Sequence, residues 1–319
     1  MGKRKITVKD RILYIIEYIF VVPLGFLIGL TPRFMLPLWS RFVGWLGFHL
    51  NTRDKKWAYY NLDIIYKDNP LSQEEKDRIV RELYRNIARF GIEYMKVGQI
   101  TSKNYNKYAE YINFEAVERA TAQGKGLIVV TLHLGNWEWF GSISAKRGVD
   151  LAVIINRQFN PYTDRWLKNI RAKKGKIKVF YNEISEIKNI AKHLRGGGTI
   201  ALLVDQTYYF KPIFVPFFDM PSATADGPAK FHFKFGAPIM MCYSIYDHSK
   251  RKYIFNMEEP VSFEASGNVE EDNKRVMTWI NKKYEGYIRK YPEQWFSLLH
   301  PRWERTKPEE FEELDFDPY

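Results

Sequence analysis

The first fifty residues are apolar with few interruptions. Hydrophobic side chains fill residues 12–30, broken by Glu17 and Pro23, and resume through residues 31–50, cut by Pro32, Pro37 and glycines. The first stretch is nearly long enough to cross a bilayer. Basic residues flank it on both sides (Lys3, Lys9 and Arg11, then Arg33 and Arg41), and no small-residue cleavage signature follows it. It therefore reads as a retained anchor, for which a bent, interfacial or half-inserted helix serves as well as a full span; a buried core helix is the competing reading. The second stretch carries Trp39 and Trp45 and reads as another membrane-proximal helix with its indoles at headgroup depth.

Residues 53–69 turn polar. Residues 71–99 then repeat apolar side chains every three to four positions, and Ser72 with Glu75 forms the signature of a capping box, which predicts an amphipathic helix. From Tyr108 the period changes. Short β-branched runs alternate with helical segments: a strand near 111–114 and a helix at 115–121, a strand over 127–132, a helix opened by Gly135 or Asn136, and a strand at 151–156. An edge strand at 178–182, a helix at 183–197 and a buried strand ending at Asp205 and Gln206 follow. Residues 208–226 read as a loop rich in proline and aromatics that wraps the mouth of a pocket. A helix over 227–235, further strand-like runs, a polar segment at 262–273 and a final amphipathic helix over 276–292 complete the pattern. Strands joined by helical crossovers imply an α/β fold with a mostly parallel, mixed sheet and helices on both faces, preceded by an apolar helical membrane anchor. The expected organisation is an anchoring segment over 1–56, an α/β domain over 57–303, and an acidic, flexible tail over 304–319.

A chain of 319 residues has ample length for a core, and its net charge of +12 calls for an anionic partner: nucleic acid, an anionic membrane surface or an acidic protein. The aromatics fall within apolar runs, where core packing explains them better than base stacking, so nucleic acid is disfavoured. The single cysteine, Cys242, excludes an internal disulfide and suits a reducing compartment. There is no HExxH and no paired Cys/His spacing, so no metal site is expected. Dinucleotide and nucleotide phosphate loops are absent, and so is a serine elbow.

What chemistry remains lies in residues 127–138, LIVVTLHLGNWE, where a buried strand delivers His133 to a strand-to-helix corner and Glu138 follows five positions later. A carboxylate that orients an imidazole makes it a general base, and a glutamate in a first helical turn is favoured as the anion. On spacing alone the pair fits an ordinary packed histidine equally well. Arg157 and Asp205, each ending a predicted strand, point to the same sheet edge, where a phosphate or other anion near Arg157 is the natural ligand.

Further blocks follow in order: Arg157 with Asn160, Pro161 and Asp164; Asp205 and Gln206; VPFF at 215–218; Thr224 and Gly227; GAP at 236–238; and PEQWFSLLHPRW at 292–303. Together with HLGNWE they resemble the late acyltransferases of lipid A biosynthesis, the lauroyl and myristoyl transferase family within the wider lysophospholipid acyltransferase group. The resemblance implies a glycerolipid acyltransferase-like fold and a site in which His133 deprotonates an acceptor hydroxyl while Glu138 holds and charge-balances His133. It further implies substrate contacts from Gly135, Asn136, Arg157, Asn160, Asp164, Asp205, Gln206, Thr224 and Gly227. Arg157 or the backbone N–H groups near Gly135 and Asn136 would stabilise the oxyanion. The acyl donor would be an acyl carrier protein thioester, or less favourably acyl-coenzyme A, as co-substrate with no other cofactor. The acceptor would be an anionic lipid A precursor, and the enzyme would sit at the bacterial inner membrane with its site on the cytoplasmic side. Another lipid acceptor, such as a lysophospholipid or a different amino- or glycolipid, and a non-catalytic lipid-binding role are the alternatives. Asp219, Phe235 and Pro301 depart from the family pattern at positions that bear on the acceptor more than on the chemistry.

Overall fold

The β-branched runs become strands of one sheet in the computed structural model, which describes residues 7–307. Strands β1 (Ala109–Ile112), β2 (Leu127–Thr131), β3 (Leu151–Ile155), β4 (Lys178–Tyr181) and β5 (Thr199–Leu203) belong to it. A separate hairpin, β6 (Ile213–Phe217) and β7 (Met220–Thr224), intervenes before β8 (Ile239–Asp247) and β9 (Lys252–Met257) rejoin the sheet. The order across it is β1-β9-β8-β2-β5-β3-β4, with every neighbouring pair parallel except β8 and β9. β4 is the edge strand that the sequence predicts.

β2 is buried at all five positions, as expected of a central parallel strand covered on both faces. Its side chains alternate between two cores. Ile128 and Val130 join Ile200, Leu202 and Met241 on one face; Leu127 and Val129 join Ala201, Met240 and Cys242 on the other.

Helices close both faces. α1 (Val8–Leu30), α2 (Leu36–Leu50), α3 (Thr52–Ile65) and α4 (Gln73–Met95) precede the sheet. α5 (Phe114–Ala122), α6 (Trp137–Lys146), α7 (Pro161–Asn169), α8 (Ile187–Arg195), α9 (Gly227–Phe235) and α10 (Val269–Lys290) follow in the chain. The capping box on α4 is present, with the Ser72 hydroxyl accepting from the Glu75 N–H and the Glu75 carboxylate accepting from the Ser72 N–H. α2 buries Leu36, Ser40, Gly44 and Phe48, a four-residue repeat, while Leu38, Trp39, Phe42 and Trp45 remain exposed.

Three segments differ from expectation. The polar stretch after residue 52 is α3, so the boundary expected at residue 56 falls inside a helix. Its N-cap, Asn51, accepts from Asp54, and its buried face consists of Ala58, Asn61, Leu62 and Ile65, a stripe diluted by polar neighbours. The expected pocket-mouth loop contains the β6–β7 hairpin, whose two-residue turn places Phe218 and Asp219 both at positive φ. Such a turn usually advertises itself with Asn-Gly, and the prolines at 212, 216 and 221 argue further against strands. α10 begins seven residues early because its first turn is polar, capped by Asn268 and carrying Glu270, Glu271 and Asp272. The acidic tail beyond residue 307 lies outside the described residues.

The α2–α4 contact admits a direct test. A Cβ at Gly44 would lie 2.7 Å from the Arg85 Cα. Gly44→Leu should therefore overpack the junction and destabilise the protein by about 1–3 kcal/mol in chemical denaturation, and an unchanged midpoint would show that α2 does not pack there.

Candidate active site

Parallel register brings the chemistry together. Thr131 of β2 lies opposite Leu203 of β5, so two residues further along each chain His133 and Asp205 leave the sheet side by side. His133 Nδ1 is 2.7 Å from Asp205 Oδ1. Oδ2 of the same carboxylate accepts from the His133 backbone N–H (3.1 Å), the Trp295 indole (2.8 Å) and the Ser297 hydroxyl (2.8 Å). Burial alone would raise this carboxyl, but the interaction with His133 and the hydrogen bonds from His133, Trp295 and Ser297 outweigh burial and hold it far below the usual carboxylate range. An ionised carboxylate only accepts, so Nδ1 carries the proton and Nε2 is the basic nitrogen. The Trp137 ring meets the imidazole edge-on at 4.8 Å and stacks on Phe90 at 4.3 Å.

Glu138 has a different partner from the one expected. In the first turn of α6, it accepts from Arg171, with Nε 2.9 Å and 3.1 Å from its two oxygens and Nη2 2.5 Å from Oε1. The hydrogen-bonded partner of the His133 ring is thus Asp205, and Glu138 forms a second acid–base pair with an arginine. Arg171 sits in a π-helical turn, Ile170–Lys174, that continues α7. It escapes sequence reading because residues 164–178 hold seven cations and nothing in the string separates this one from its exposed neighbours.

The corner between β2 and α6 is fastened on every side. Gly135 has φ of 63°, and a Cβ there would lie 2.3 Å from the Ser244 carbonyl oxygen. Its N–H donates to the Gln294 carbonyl (3.0 Å), and the Asn136 N–H donates to Ser244 Oγ (2.7 Å). The Asn136 side chain caps α6 through the Trp139 N–H and donates to Glu93, which is buried and also accepts from Tyr253 Oη at 2.6 Å. The 292–303 block straps the corner, since Phe296 N–H donates to the His133 carbonyl at 2.7 Å. The backbone donors at Gly135 and Asn136 are therefore spent within the fold, and neither is an oxyanion donor.

The other predicted contacts fall in three places. Gln206 stays near the dyad, donating to Ser297 Oγ at 3.3 Å. Arg157 reaches the same sheet edge but pairs with Glu183 over the Tyr181 ring. Asn160 caps α7 and donates to the Tyr14 carbonyl of α1 at 2.9 Å; Asp164 accepts from Tyr181 Oη at 2.7 Å and from the Gln158 N–H at 3.0 Å. Asn160 and Asp164 thus knit α7 into the fold. Thr224 accepts from the wholly buried Arg302 at 2.9 Å, and Gly227 opens α9. Asp219, one of the departures, occupies the hairpin turn and pairs with Lys67 at 3.0 Å.

A cleft of about 720 Å³ is lined by Arg53, Asp54, Lys56, Trp57, Tyr60, Tyr209, His300, Pro301 and Glu304. His300 donates its N–H to the carbonyl of Ser297, whose hydroxyl bonds Asp205, so the cleft wall and the dyad share one short segment. Burial, reinforced by the charge of Arg302, pushes the His300 imidazole down to about 4 and keeps it neutral. Among the described residues, no three His, Cys, Asp or Glu side chains converge as metal ligands.

An imidazole hydrogen-bonded to a buried carboxylate at the carboxyl edge of an α/β sheet is an arrangement able to serve as a general base. The chain belongs to the bacterial lipid A biosynthesis acyltransferase family, whose model matches residues 4–305. It is 23% identical over 258 residues to a lipid A biosynthesis acyltransferase of Haemophilus influenzae, spanning 80% of this chain and 77% of that one. It is 21% identical over 282 residues to lipid A biosynthesis acyltransferase 2 of Shigella flexneri, spanning 86% and 87%. It is also 24% identical over 275 residues to the lipid A biosynthesis lauroyltransferase of Escherichia coli, spanning 84% of each. The protein is a lipid acyltransferase.

The second acid–base pair makes its own prediction. Arg171→Met strands the buried Glu138 carboxylate and should destabilise the protein by about 3–5 kcal/mol. Adding Glu138→Gln should restore most of that loss in thermal denaturation; additive losses would mean that the two side chains do not interact.

Proposed function

We propose that the protein transfers a fatty acyl chain from an acyl carrier protein thioester to a hydroxyl of a lipid A precursor, with His133 as general base. The observation that carries this reading is the Asp205–His133 hydrogen bond, which engages Nδ1 and leaves Nε2 as the nitrogen free to act as the base. Nε2 takes the hydroxyl proton as the oxygen attacks the thioester carbonyl, and Asp205 stabilises the imidazolium formed. The tetrahedral intermediate then collapses, the carbon–sulfur bond breaks, and the imidazolium returns its proton to the thiolate. Holding two substrates beside one base supplies much of the acceleration.

With the Gly135 and Asn136 donors occupied, the oxyanion falls to the first turn of α6. Asn136 caps the Trp139 N–H, and the N–H groups of Trp137 and Glu138 have no acceptor within the helix. Glu138 acts here as a positioning residue: held by Arg171, it fixes that turn and the Trp137 ring against the imidazole.

The basic surface suits both substrates, since an acyl carrier protein is acidic and a lipid A precursor carries phosphate; acyl-coenzyme A is the other possible donor. In the cleft whose wall continues from the Ser297 segment, Arg53 and Lys56 can meet the phosphates and Asp54 and Glu304 the hydroxyls of a headgroup, and Trp57 and Tyr60 offer faces to a sugar. No cofactor or metal is required beyond the thioester co-substrate. The exposed apolar residues of α1 and α2 favour the membrane as the place of action, with the site on the cytoplasmic side of the inner membrane, and the unpaired Cys242 agrees with that compartment.

In a cell whose endogenous copy is replaced by His133→Ala, mass spectrometry of the membrane lipids should show lipid A lacking one acyl chain. Fully acylated lipid A would overturn the assignment. In purified enzyme, Asp205→Asn should lower kcat by about three to four orders of magnitude, as loss of the orienting carboxylate does in other His–Asp systems; a wild-type kcat would remove Asp205 from the mechanism.

A further inference from the structure

α1 has the length and composition of a transmembrane helix, yet one of its faces is committed to the catalytic domain. Tyr14, Tyr18, Val22, Gly25 and Gly29 recur every three to four residues and form a single stripe. Asn160 donates to the Tyr14 carbonyl at 2.9 Å, and the Tyr18 ring lies 5.9 Å from that of Tyr162. Gly25 is buried so closely that a Cβ would sit 2.8 Å from the Trp166 ring and 3.1 Å from Met95 Sδ. At the far end, Lys96 donates to the carbonyls of Gly29 and Thr31, and Gln99 to that of Gly29 at 2.9 Å. The contacts run from Tyr14 to Thr31, about 25 Å of helix at 1.5 Å per residue. That is most of the roughly 30 Å of a hydrocarbon core.

An upright α1 would therefore carry its partners into the membrane. α7, which lies along this stripe, exposes Arg165 and continues into the exposed Lys173 and Lys174. Such charges do not tolerate hydrocarbon depth. Glu17 would fare no better, since it is exposed near the middle of α1, where an upright helix places it close to the midplane. Laid flat, the same helix puts Asp10 and Glu17, seven residues apart on one flank, at the headgroup level. Its outward face, including Leu13, Ile16, Phe20, Leu24 and Leu27, then enters the acyl region. After the Arg33–Met35 turn, α2 continues the apolar surface with Phe34, Leu38, Phe42 and Trp45 exposed, and the exposed cations Lys9, Arg11 and Arg41 match an anionic headgroup layer.

We infer that α1 and α2 form a monotopic anchor seated in one leaflet of an anionic bilayer, so that the start of α1 lies on the same side of the membrane as the catalytic domain. This rests on the membrane location proposed above and adds its topology. It also couples anchor to site: α1 is latched to the end of α4 that carries Glu93, and to α7, which leads to Arg171.

The test uses the full chain with a hydrophilic, protease-cleavable tag at each terminus, in sealed inverted inner-membrane vesicles and in intact spheroplasts. Protease added to inverted vesicles should remove both tags, and in spheroplasts both should survive. Cleavage of the C-terminal tag alone in inverted vesicles would make α1 a spanning helix and overturn the inference. Recovery of the protein in the soluble fraction, without vesicles, would instead refute the membrane location on which the inference depends.

Discussion

A carboxylate withdrawn entirely from water survives only if donors surround it, and the four hydrogen bonds to Asp205 organise the rest of the site. They join three distant parts of the chain. Asp205 follows β5, His133 follows β2, and Trp295 and Ser297 belong to the block after α10. Removing one donor would leave part of a buried charge unsatisfied, so the folding of the C-terminal block and the orientation of the His133 ring are one constraint. The same block bonds the His133 carbonyl and Gly135 N–H, so its backbone as well as its side chains fastens the corner that carries the imidazole.

Glu138 and Arg171 supply a parallel constraint on the next helix. The pair ties the first turn of α6 to the π-helical end of α7, and α7 is held in turn by α1 through Asn160 and Trp166. A chain of contacts thus runs from the apolar helix to within one helical turn of the imidazole. α1 is therefore part of the scaffold that holds the strand-to-helix corner in place.

Much of this was legible in the residues. Strand and helix order, both faces of the sheet and the Ser72 capping box followed from periodicity, and His133 was identifiable because a buried strand ends just before it. The partner of His133 was not. Spacing along the chain suggested Glu138, five residues away, whereas parallel register sets Asp205, seventy-two residues away, directly beside it. Register is a property of strand pairing and leaves no local mark. Arg171 was hidden for a related reason, since only burial distinguishes it within a run of cations. Asn160 and Asp164 belong to the same family block as Arg157, yet their polar atoms cap α7 and bond its neighbours.

The central claim is that Asp205 holds the proton on Nδ1 and leaves Nε2 as the base. Nitrogen-15 NMR of the labelled His133 ring tests it without any substrate. The Nδ1-protonated tautomer should appear in the wild-type protein and in Glu138→Gln, and should be lost in Asp205→Asn, whose amide can donate to the ring. A wild-type ring protonated on Nε2, or a tautomer that changes with Glu138→Gln and is indifferent to Asp205→Asn, would contradict the account.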